Sequence, residues 1–298
     1  MSARVQGAVP FAPVAGVPAR SSERSIGAIL VDTGRLTPAD AESVLRLQRE
    51  QGLRFGDAAI QLGLVAQADI DFALSRQFDY PYLRHGQAAV SQEIVTAYAP
   101  FTPQVEALRA LRSQLMLRWF DTDAEHKALA IVSAERNEGR SYLAANLAVV
   151  FSQLGEHTLL IDADMRNPRQ HRLFGLDNRA GLSALLSGRG GPDAIQRIDS
   201  LRDLAVLPAG AGPPNPSELL GRPVFSQLLR DLAGDFDVIL LDTPAAGESA
   251  DAQTATARAG AALIVVRKDS TRLSQVQGIA EDAAQTNTAI VGTVLNDF

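Results

Sequence analysis

From residue 127 onward, short apolar runs alternate with segments of helical length. Strands are predicted at Ala128–Ser133, Thr158–Ile161, Ala205–Leu207, Val238–Leu241, Ala261–Val266 and Ala289–Leu295. Helices are predicted between them, notably at Ser141–Leu154 and Val224–Leu232. This order is typical of an α/β fold with a mostly parallel sheet covered on both faces. A ligand of such a fold is expected beyond the carboxyl ends of the strands.

The first predicted strand leads into a loop with the sequence SAERNEGRS, residues 133–141, and then into a helix. The phosphate-loop pattern GxxxxGK[ST] fits here with two changes, because Ala134 replaces the first glycine and Arg140 replaces the lysine. Gly139 and Ser141 are kept. Backbone N–H groups and the start of the helix would hold phosphates, so the loop is a candidate nucleotide site.

Carboxylates follow two other strands at the same predicted edge. Asp162 and Asp164 follow the second predicted strand in the segment LLIDADMR, and Asp242 ends the segment VILLD. A buried carboxylate is costly unless it meets a cation or hydrogen-bond donors, and Mg²⁺ prefers such oxygen ligands beside phosphates. The alternative is that these residues only cap turns. However, the phosphate loop and the two carboxylate segments each match at the end of a predicted strand, and these three matches favour a magnesium site.

Composition excludes several classes of function. The net charge of −6 argues against a general nucleic-acid coat, so no nucleic-acid partner is predicted. The absence of cysteine removes thiol nucleophiles, disulfides and cysteine–zinc sites. The four histidines have no HExxH spacing, and no apolar run is long enough for a transmembrane helix.

The N-terminal part contains an internal repeat. Residues 25–48 and 54–77 align without gaps at a shift of 29 residues. Each copy predicts a short helix that ends near a glycine, a turn and an amphipathic helix, with Thr37 and Pro38 at the start of the second helix of copy one. We therefore predict a small all-α domain over residues 22–82, after a flexible tail over residues 1–21.

Residues 83–103 contain two prolines and little periodicity, so they are predicted to be a linker. The next segment, QVEALRALRSQLMLR, predicts a helix on which Glu106, Arg109 and Arg112 form a charged stripe. Taken alone, such a stripe is typical of a solvated face with one weak ion pair.

These elements together resemble the bacterial tyrosine kinases, P-loop proteins with deviant Walker motifs, over residues 104–298. The resemblance rests on the phosphate loop, the DADMR and LLDTP segments, and the ExxRxxR pattern of Glu106, Arg109 and Arg112. The stretches EGRSYLAANLAVVFSQLG and PAGAGPPNPSELL are similar to the EpsG-type branch, described as chain-length-determinant kinases of exopolysaccharide operons. The resemblance implies a P-loop NTPase fold, ATP and Mg²⁺ as cofactors, and phosphoryl transfer to tyrosine.

The family's roles carry over to the matching positions. Ser141, Asp162 and, through water, Asp242 are implied to hold Mg²⁺. Asp162 or Asp164 is implied to help deprotonate the acceptor tyrosine, with Arg140 as a further catalytic residue. The residues implied to contact the nucleotide are Glu138, Gly139, Arg140, Ser141, Tyr142 and Asn296.

The resemblance also implies partners. The charged stripe becomes a contact in a homo-oligomer, and a membrane-embedded polysaccharide co-polymerase is expected to activate the kinase. That partner would place the chain in the cytoplasm, peripheral to the inner membrane.

Members of this family carry a cluster of tyrosines after the last strand, and this sequence has no such cluster. We therefore expect weak or no autophosphorylation, with Tyr98 as the remaining candidate for the phosphorylated residue. A nucleotide-dependent switch of the export machinery, or a positioning ATPase of the MinD or ParA kind, therefore stays open as an alternative.

The N-terminal repeat resembles the N-terminal domain of type II secretion ATPases of the MshE kind. Copy two matches that pattern with Arg54, Gly56, Gly63, Leu74 and Gln77. In that family the repeat can bind cyclic di-GMP, and Arg54 is the residue on which such binding would depend. Copy one has Ser25 where the pattern has arginine, so a purely structural or docking role is the alternative.

Overall fold

The computed structural model describes residues 24–77, 83, 86, 88–122 and 126–297, so the predicted tail over residues 1–21 lies outside the described residues. Within them the α-helices are α1 (Ile26–Asp32), α2 (Pro38–Gln51), α3 (Phe55–Gln61), α4 (Gln67–Gln77), α5 (Val95–Tyr98), α6 (Pro103–Leu115), α7 (Arg140–Ser152), α8 (Gln170–Leu173), α9 (Leu182–Leu186), α10 (Pro216–Gly221), α11 (Pro223–Leu232), α12 (Asp251–Ala259) and α13 (Leu273–Gln285). A π-helical turn, Met116–Phe120, extends α6, and a 3₁₀ turn lies at Pro192–Ala194. The strands are β1 (Ala128–Val132), β2 (Thr158–Asp162), β3 (Gln196–Arg197), β4 (Leu204–Leu207), β5 (Val238–Asp242), β6 (Ala261–Arg267) and β7 (Ala289–Asn296).

The strands form one sheet in the order β3-β4-β2-β5-β1-β6-β7. Every pair is parallel except β3 with β4. The prediction of a mostly parallel sheet is therefore confirmed, and the predicted strands agree with the observed ones to within one residue at each end. Strand β3, which has only two residues, was not predicted.

Side chains of the central strands alternate between two apolar layers. Leu129 and Ile131 of β1 join the layer that contains α7, whereas Ala130 and Val132 join the opposite layer with Phe225 of α11. This period of two places an apolar core on both faces of the sheet. The polar residues that follow β1, β2 and β5 are thereby brought together at one edge.

The predicted linker is corrected by the structure over residues 88–102. Ile94, Ala97 and Tyr98 are buried in the same core layer as α7. The buried amide of Asn146 in α7 accepts hydrogen bonds from the backbone N–H and the hydroxyl of Thr96, at 3.1 and 3.0 Å. This segment is therefore part of the sheet unit, and its apolar residues were missed because they follow no regular period.

The N-terminal repeat folds as two helix pairs around a small apolar core of their own. The Thr37 side chain accepts from the N–H of Asp40, and Pro38 opens α2, which confirms the predicted helix start. Gly34 and Gly63 occupy equivalent positions after α1 and α3 and have φ values of +69° and +68°, a backbone conformation that favours glycine.

The main helix contacts in this region run between the copies. Helix α1 packs on α4, and α2 packs on α3. The first helix of each copy is therefore covered by the second helix of the other copy, and the contact pattern is unchanged when the two copies are exchanged.

Candidate active site

The loop between β1 and α7 has the backbone of an anion-binding turn. Asn137 and Gly139 have φ values of +60° and +98°, and α7 begins directly after Gly139. Residues with positive φ alternate here with ordinary ones, and the start of a 13-residue helix follows. Such a backbone directs its N–H groups toward one point. The carbonyl of Ala134 accepts from Gly247 N at 2.9 Å, and a Cβ on Gly247 would lie 3.0 Å from that same oxygen. The loop after β5 is thereby held against the phosphate loop.

Arg140 is buried and binds the protein around the loop. Its Nε donates to the carbonyl of Thr243 at 2.9 Å, and its Nη1 donates to the carbonyl of Glu135 at 2.7 Å and to the Ser133 hydroxyl. The planar guanidinium thus connects the end of β1 with the end of β5, which a lysine ammonium cannot do with the same set of directed donors.

Glu138 is also buried and fixes the loop from inside. One carboxylate oxygen accepts from the N–H of Glu135 at 2.8 Å, and the other accepts from the Thr271 hydroxyl. The side-chain amide of Asn296, at the end of β7, donates to the Glu138 carbonyl at 3.1 Å. Glu138 and Asn296, both predicted to contact the nucleotide, therefore lie together at the loop.

Asp162 and Asp242 end the adjacent strands β2 and β5 in register, and both side chains are fully buried. Asp162 Oδ2 accepts from the backbone N–H groups of Arg169 and Gln170, each at 2.9 Å. Asp242 Oδ2 accepts from Gln170 Nε2 at 2.7 Å, and the same amide donates to the Ser141 carbonyl at 3.1 Å. The structure therefore brings the three predicted metal ligands, Ser141, Asp162 and Asp242, around one buried glutamine.

Gln170 was not predicted from the sequence. It is fully buried and joins the start of α7 to the ends of β2 and β5. The sequence signal for it is weak, because it lies eight residues after Asp162 in a segment without periodicity.

The environment of the two carboxyl groups favours a cation. Burial, and then the charge of Asp242, raises the pKa of Asp162 well above its usual range. Burial raises the pKa of Asp242 to about 6, against the hydrogen bond from Gln170 and the charge of Arg140. Within the described residues, Asp162 Oδ1 and Asp242 Oδ1 are buried without a hydrogen-bond partner. These two free oxygens fit a divalent metal ion such as Mg²⁺.

The protein ligands alone are too few to enclose a metal. In the part of the chain that the structure describes, no group of three or more His, Cys, Asp or Glu side chains could hold one. A magnesium ion at Asp162 and Asp242 would need further oxygen ligands, and this fits an ion shared with nucleotide phosphates and water.

Asp164, the second predicted catalytic carboxylate, lies in the turn after β2. It is 7% exposed, and its Oδ1 accepts from the backbone N–H of Asn167 at 2.9 Å. In addition to burial, its charge raises the pKa of both Asp162 and Asp242, so it lies near that pair.

Two tyrosines are held by the protein. The Tyr142 hydroxyl accepts from Gln104 Nε2 of α6 at 2.9 Å, and burial, then the charge of Glu93, raises its pKa. Tyr98 is 4% exposed and its hydroxyl donates to the Val90 carbonyl. The expectation that Tyr98 is the residual acceptor is therefore wrong for the folded protein, because its hydroxyl is buried in the core.

The charged stripe on α6 is ordered within the chain. Arg109 pairs with the exposed Glu106, and Arg112 Nη1 donates to the Val150 carbonyl of α7 at 2.9 Å. The stripe thus touches the helix that carries the phosphate loop.

Arg54, the predicted nucleotide-binding arginine of the repeat, is exposed at the start of α3 and caps no N–H group with its side chain. A groove of about 680 Å³ in this region is lined from both copies, with Gln48 and Gln77, the equivalent residues of the repeat, among its lining residues. Arg54 is not among the residues that line it.

Comparison with known proteins places this site in a family. A family profile for the cellulose biosynthesis protein BcsQ matches residues 127–288. The putative tyrosine-protein kinase CapB of Staphylococcus aureus is 34% identical over 191 residues, which cover 64% of this chain and 83% of CapB. The chain belongs to the bacterial tyrosine kinase family. It also matches the family member EpsB of Ralstonia solanacearum, at 33% identity, but spans only 27% of that longer protein.

Solved structures agree with this family. The kinase domain of Escherichia coli tyrosine kinase ETK matches with a TM-score of 0.67 at 31% identity, over 72% of this chain and 82% of that one. The septum site-determining protein MinD of Pyrococcus horikoshii, complexed with Mg-ADP, matches with a TM-score of 0.51 at 25% identity, over 57% of this chain and 70% of that one. None of the helices in the described residues has the length and apolar character that a membrane span needs.

Proposed function

We propose that this member of the bacterial tyrosine kinase family transfers the γ-phosphoryl group of Mg-ATP to tyrosine, and that it regulates the chain length and export of an exopolysaccharide. The observation that carries the proposal is the buried pair of Asp162 and Asp242, each with one free oxygen, beside the phosphate loop. Mg-ADP in MinD and the tyrosine kinase names of the relatives support it.

In this proposal each residue of the site has a defined task. The N–H groups at Gly139 and Ser141 hold the β- and γ-phosphates, while Arg140 keeps the loop on the end of β5. The Ser141 hydroxyl, Asp162 and, through water, Asp242 would hold Mg²⁺, and this ion would supply positive charge beside the phosphates. Asp162 or Asp164 accepts the proton of the attacking tyrosine, and catalysis is otherwise positioning.

Radiolabelled ATP and purified protein test this directly. We expect labelled tyrosine on an added acceptor, with more label when a polysaccharide co-polymerase partner is present, and none with Asp162→Asn. The Asn variant keeps an oxygen that can accept from Arg169 N and Gln170 N, so the fold is retained. Release of phosphate without labelled tyrosine would contradict the kinase proposal.

The second candidate is a nucleotide-dependent switch of the export machinery, or a positioning ATPase of the MinD kind. It is favoured by the state of the two tyrosines: the Tyr98 hydroxyl is buried and donates to the Val90 carbonyl, and the Tyr142 hydroxyl accepts a hydrogen bond from Gln104. Under this alternative the same assay gives phosphate release alone.

We further propose that a membrane-bound co-polymerase holds the chain at the cytoplasmic face of the inner membrane, and that the protein forms homo-oligomers. The crystal structure of the chimerical protein CapA2B2 matches 75% of this chain and 96% of that one, at 33% identity and a TM-score of 0.64. A chimera that contains a domain of this fold supports a pairing of the kinase with a second protein. Co-purification with a membrane-bound co-polymerase tests this.

For the repeat region we propose a docking or structural role, with cyclic di-GMP as a candidate ligand. The groove lined by Gln48 and Gln77 supports a ligand site, whereas the exposed position of Arg54 outside it does not. Calorimetry with cyclic di-GMP on the full chain and on Arg54→Ala decides between them: no heat at high micromolar ligand leaves the docking role.

A further inference from the structure

A groove of about 600 Å³ runs beside the proposed active site and is lined by three arginines, Arg166, Arg169 and Arg172. One wall is the loop and helix from residue 166 to residue 173, and the other wall includes Ser91 and Glu93. Ser91 N donates to the Leu173 carbonyl at 2.7 Å, so the two walls are joined at one end. The protein as a whole is acidic, with a net charge of −6, which makes this cluster a local exception.

The groove adjoins the carboxylates that are proposed to bind the metal. The backbone N–H of Arg169, which lines the groove, donates to Asp162 Oδ2 at 2.9 Å. A peptide bound along the groove would therefore lie next to the position proposed for the γ-phosphate.

The arginines differ in how they are engaged. Arg166 Nε donates to the buried Asp251 at 2.7 Å, which fixes this side chain to α12. Arg169 pairs with Glu93 across the groove. No acidic side chain among the described residues forms an ion pair with Arg172, which is exposed.

The pair of Arg169 and Glu93 shows that the groove can bind a carboxylate. Both side chains are about half exposed, at 43% and 48%, so solvent and competing anions reach the pair. A carboxylate from a second molecule can take the same donors, because a guanidinium binds carboxylates through two parallel N–H groups. Glu93 thus occupies, from within the chain, the place that an external carboxylate would take.

We propose that this groove binds the acceptor segment of a protein substrate, and that it selects segments in which acidic residues flank the tyrosine. Arg172 and Arg169 bind the flanking carboxylates, and Glu93 competes with them. This specificity rests on the proposed kinase function, since it names the substrate class of that site.

Two synthetic peptides test the selection. Both have one tyrosine at the centre; one has three glutamates on each side, and the other has glutamines at those positions, so only charge differs. Binding is measured by fluorescence anisotropy with Mg-ADP present, and phosphoryl transfer is measured in parallel with Mg-ATP.

Opposite changes are expected from two variants. Arg172→Gln should weaken binding of the acidic peptide about fivefold relative to the glutamine peptide, as expected for the loss of one partly exposed charge-assisted contact. Glu93→Gln should strengthen it by a similar factor because Arg169 is released. Arg222→Gln, which changes an exposed arginine outside the groove, is the control and should leave the ratio of the two affinities unchanged.

The outcomes separate this inference from the kinase proposal. If the variants shift binding as described but neither peptide is phosphorylated, the groove is supported and the kinase proposal fails. If both peptides are phosphorylated and neither variant changes the ratio of their affinities, the groove inference is overturned while the kinase proposal stands.

Discussion

Asp162 and Asp242 lie directly opposite each other on the parallel strands β2 and β5, and neither side chain is exposed to solvent. Two carboxylates in this position repel each other and are both desolvated, so the metal-free protein is less stable than it would be with one of them neutral. A divalent cation removes this cost, which makes metal binding and folding stability interdependent.

The first prediction concerns pH in the metal-free protein. The pKa of Asp242 is raised to about 6 in the folded state from its ordinary value of 3.8. The folded state therefore binds more protons than the unfolded state between these values, and the free energy of unfolding falls as pH rises through this window. With EDTA present, wild type should lose on the order of 2 kcal/mol relative to Asp242→Asn between pH 4 and pH 7.

Urea denaturation of both proteins at these pH values measures that difference. The Asn variant is the matched control, because it keeps an oxygen that can accept from Gln170 but does not titrate. Millimolar Mg²⁺ at pH 7 should raise the stability of wild type more than that of the variant. A difference that stays constant with pH would show that Asp242 is ionised throughout.

The second prediction concerns Arg140. Arg140→Ala should lower nucleotide affinity at least tenfold and destabilise the fold by about 2–3 kcal/mol, because the buried Thr243 carbonyl and the Glu135 carbonyl lose their charged donor. Arg140→Lys keeps the charge but reaches fewer of these acceptors, so it should fall between Ala and wild type. Titration with a fluorescent ATP analogue and thermal unfolding measure the two effects separately. Equal affinity in the Ala variant would remove Arg140 from the nucleotide site.

The third prediction concerns Gln170. Gln170→Ala removes the donor to Asp242 and to the Ser141 carbonyl, so it should lower the free energy of unfolding by about 1–3 kcal/mol and reduce Mg²⁺-dependent turnover. Gln227→Ala on the exposed face of α11 is the control and should change neither quantity. Retained turnover with a loss of stability alone would limit Gln170 to a structural role.

The ends of β2 and β5 could be predicted from the sequence because a carboxylate after a short apolar run is costly there and needs a partner. The phosphate loop was identified for a similar reason, since Gly139 and Ser141 stand between a strand and a helix. The position of Gln170 could not be predicted, because a long-range contact with Asp242 leaves no periodic signal.

The same limit explains the misassigned linker. Ile94 and Tyr98 are buried against α7, but the prolines that follow them are typical of a boundary. The sequence shows that arginine replaces lysine in the phosphate loop. It does not show that the Arg140 guanidinium donates to the Thr243 and Glu135 carbonyls.

The fourth prediction concerns assembly. Replacing Glu106, Arg109 and Arg112 together with alanine should yield a smaller species in light scattering if the stripe joins subunits. The pair of Arg109 with Glu106 is partly exposed and contributes little to folding. The variant also loses one hydrogen bond, from Arg112 to the Val150 carbonyl, so thermal unfolding should fall by a few degrees. An oligomer of unchanged size would leave the stripe as a contact between α6 and α7 within one chain.

The fifth prediction concerns the repeat. The fragment over residues 24–77 should fold by itself and unfold cooperatively, because its apolar core is formed by its own four helices. The single copy over residues 24–51 should be largely unstructured at low concentration, since α1 would lack α4. Circular dichroism of both peptides tests this, and equal helicity per residue would contradict the interdependence of the copies.

The exchange of partners between the two copies gives this region the properties of a dimer joined in one chain. Each surface element occurs twice, so an unmodified duplicate would offer a partner two indistinguishable orientations. Ser25 and Arg54 occupy the same place in the two halves, but the Ser25 hydroxyl accepts from Ala28 N at the start of α1, whereas Arg54 makes no such contact and adds a charge. The difference at this position is one of those that distinguish the two halves, so a partner that binds the duplicated unit can do so in one defined orientation.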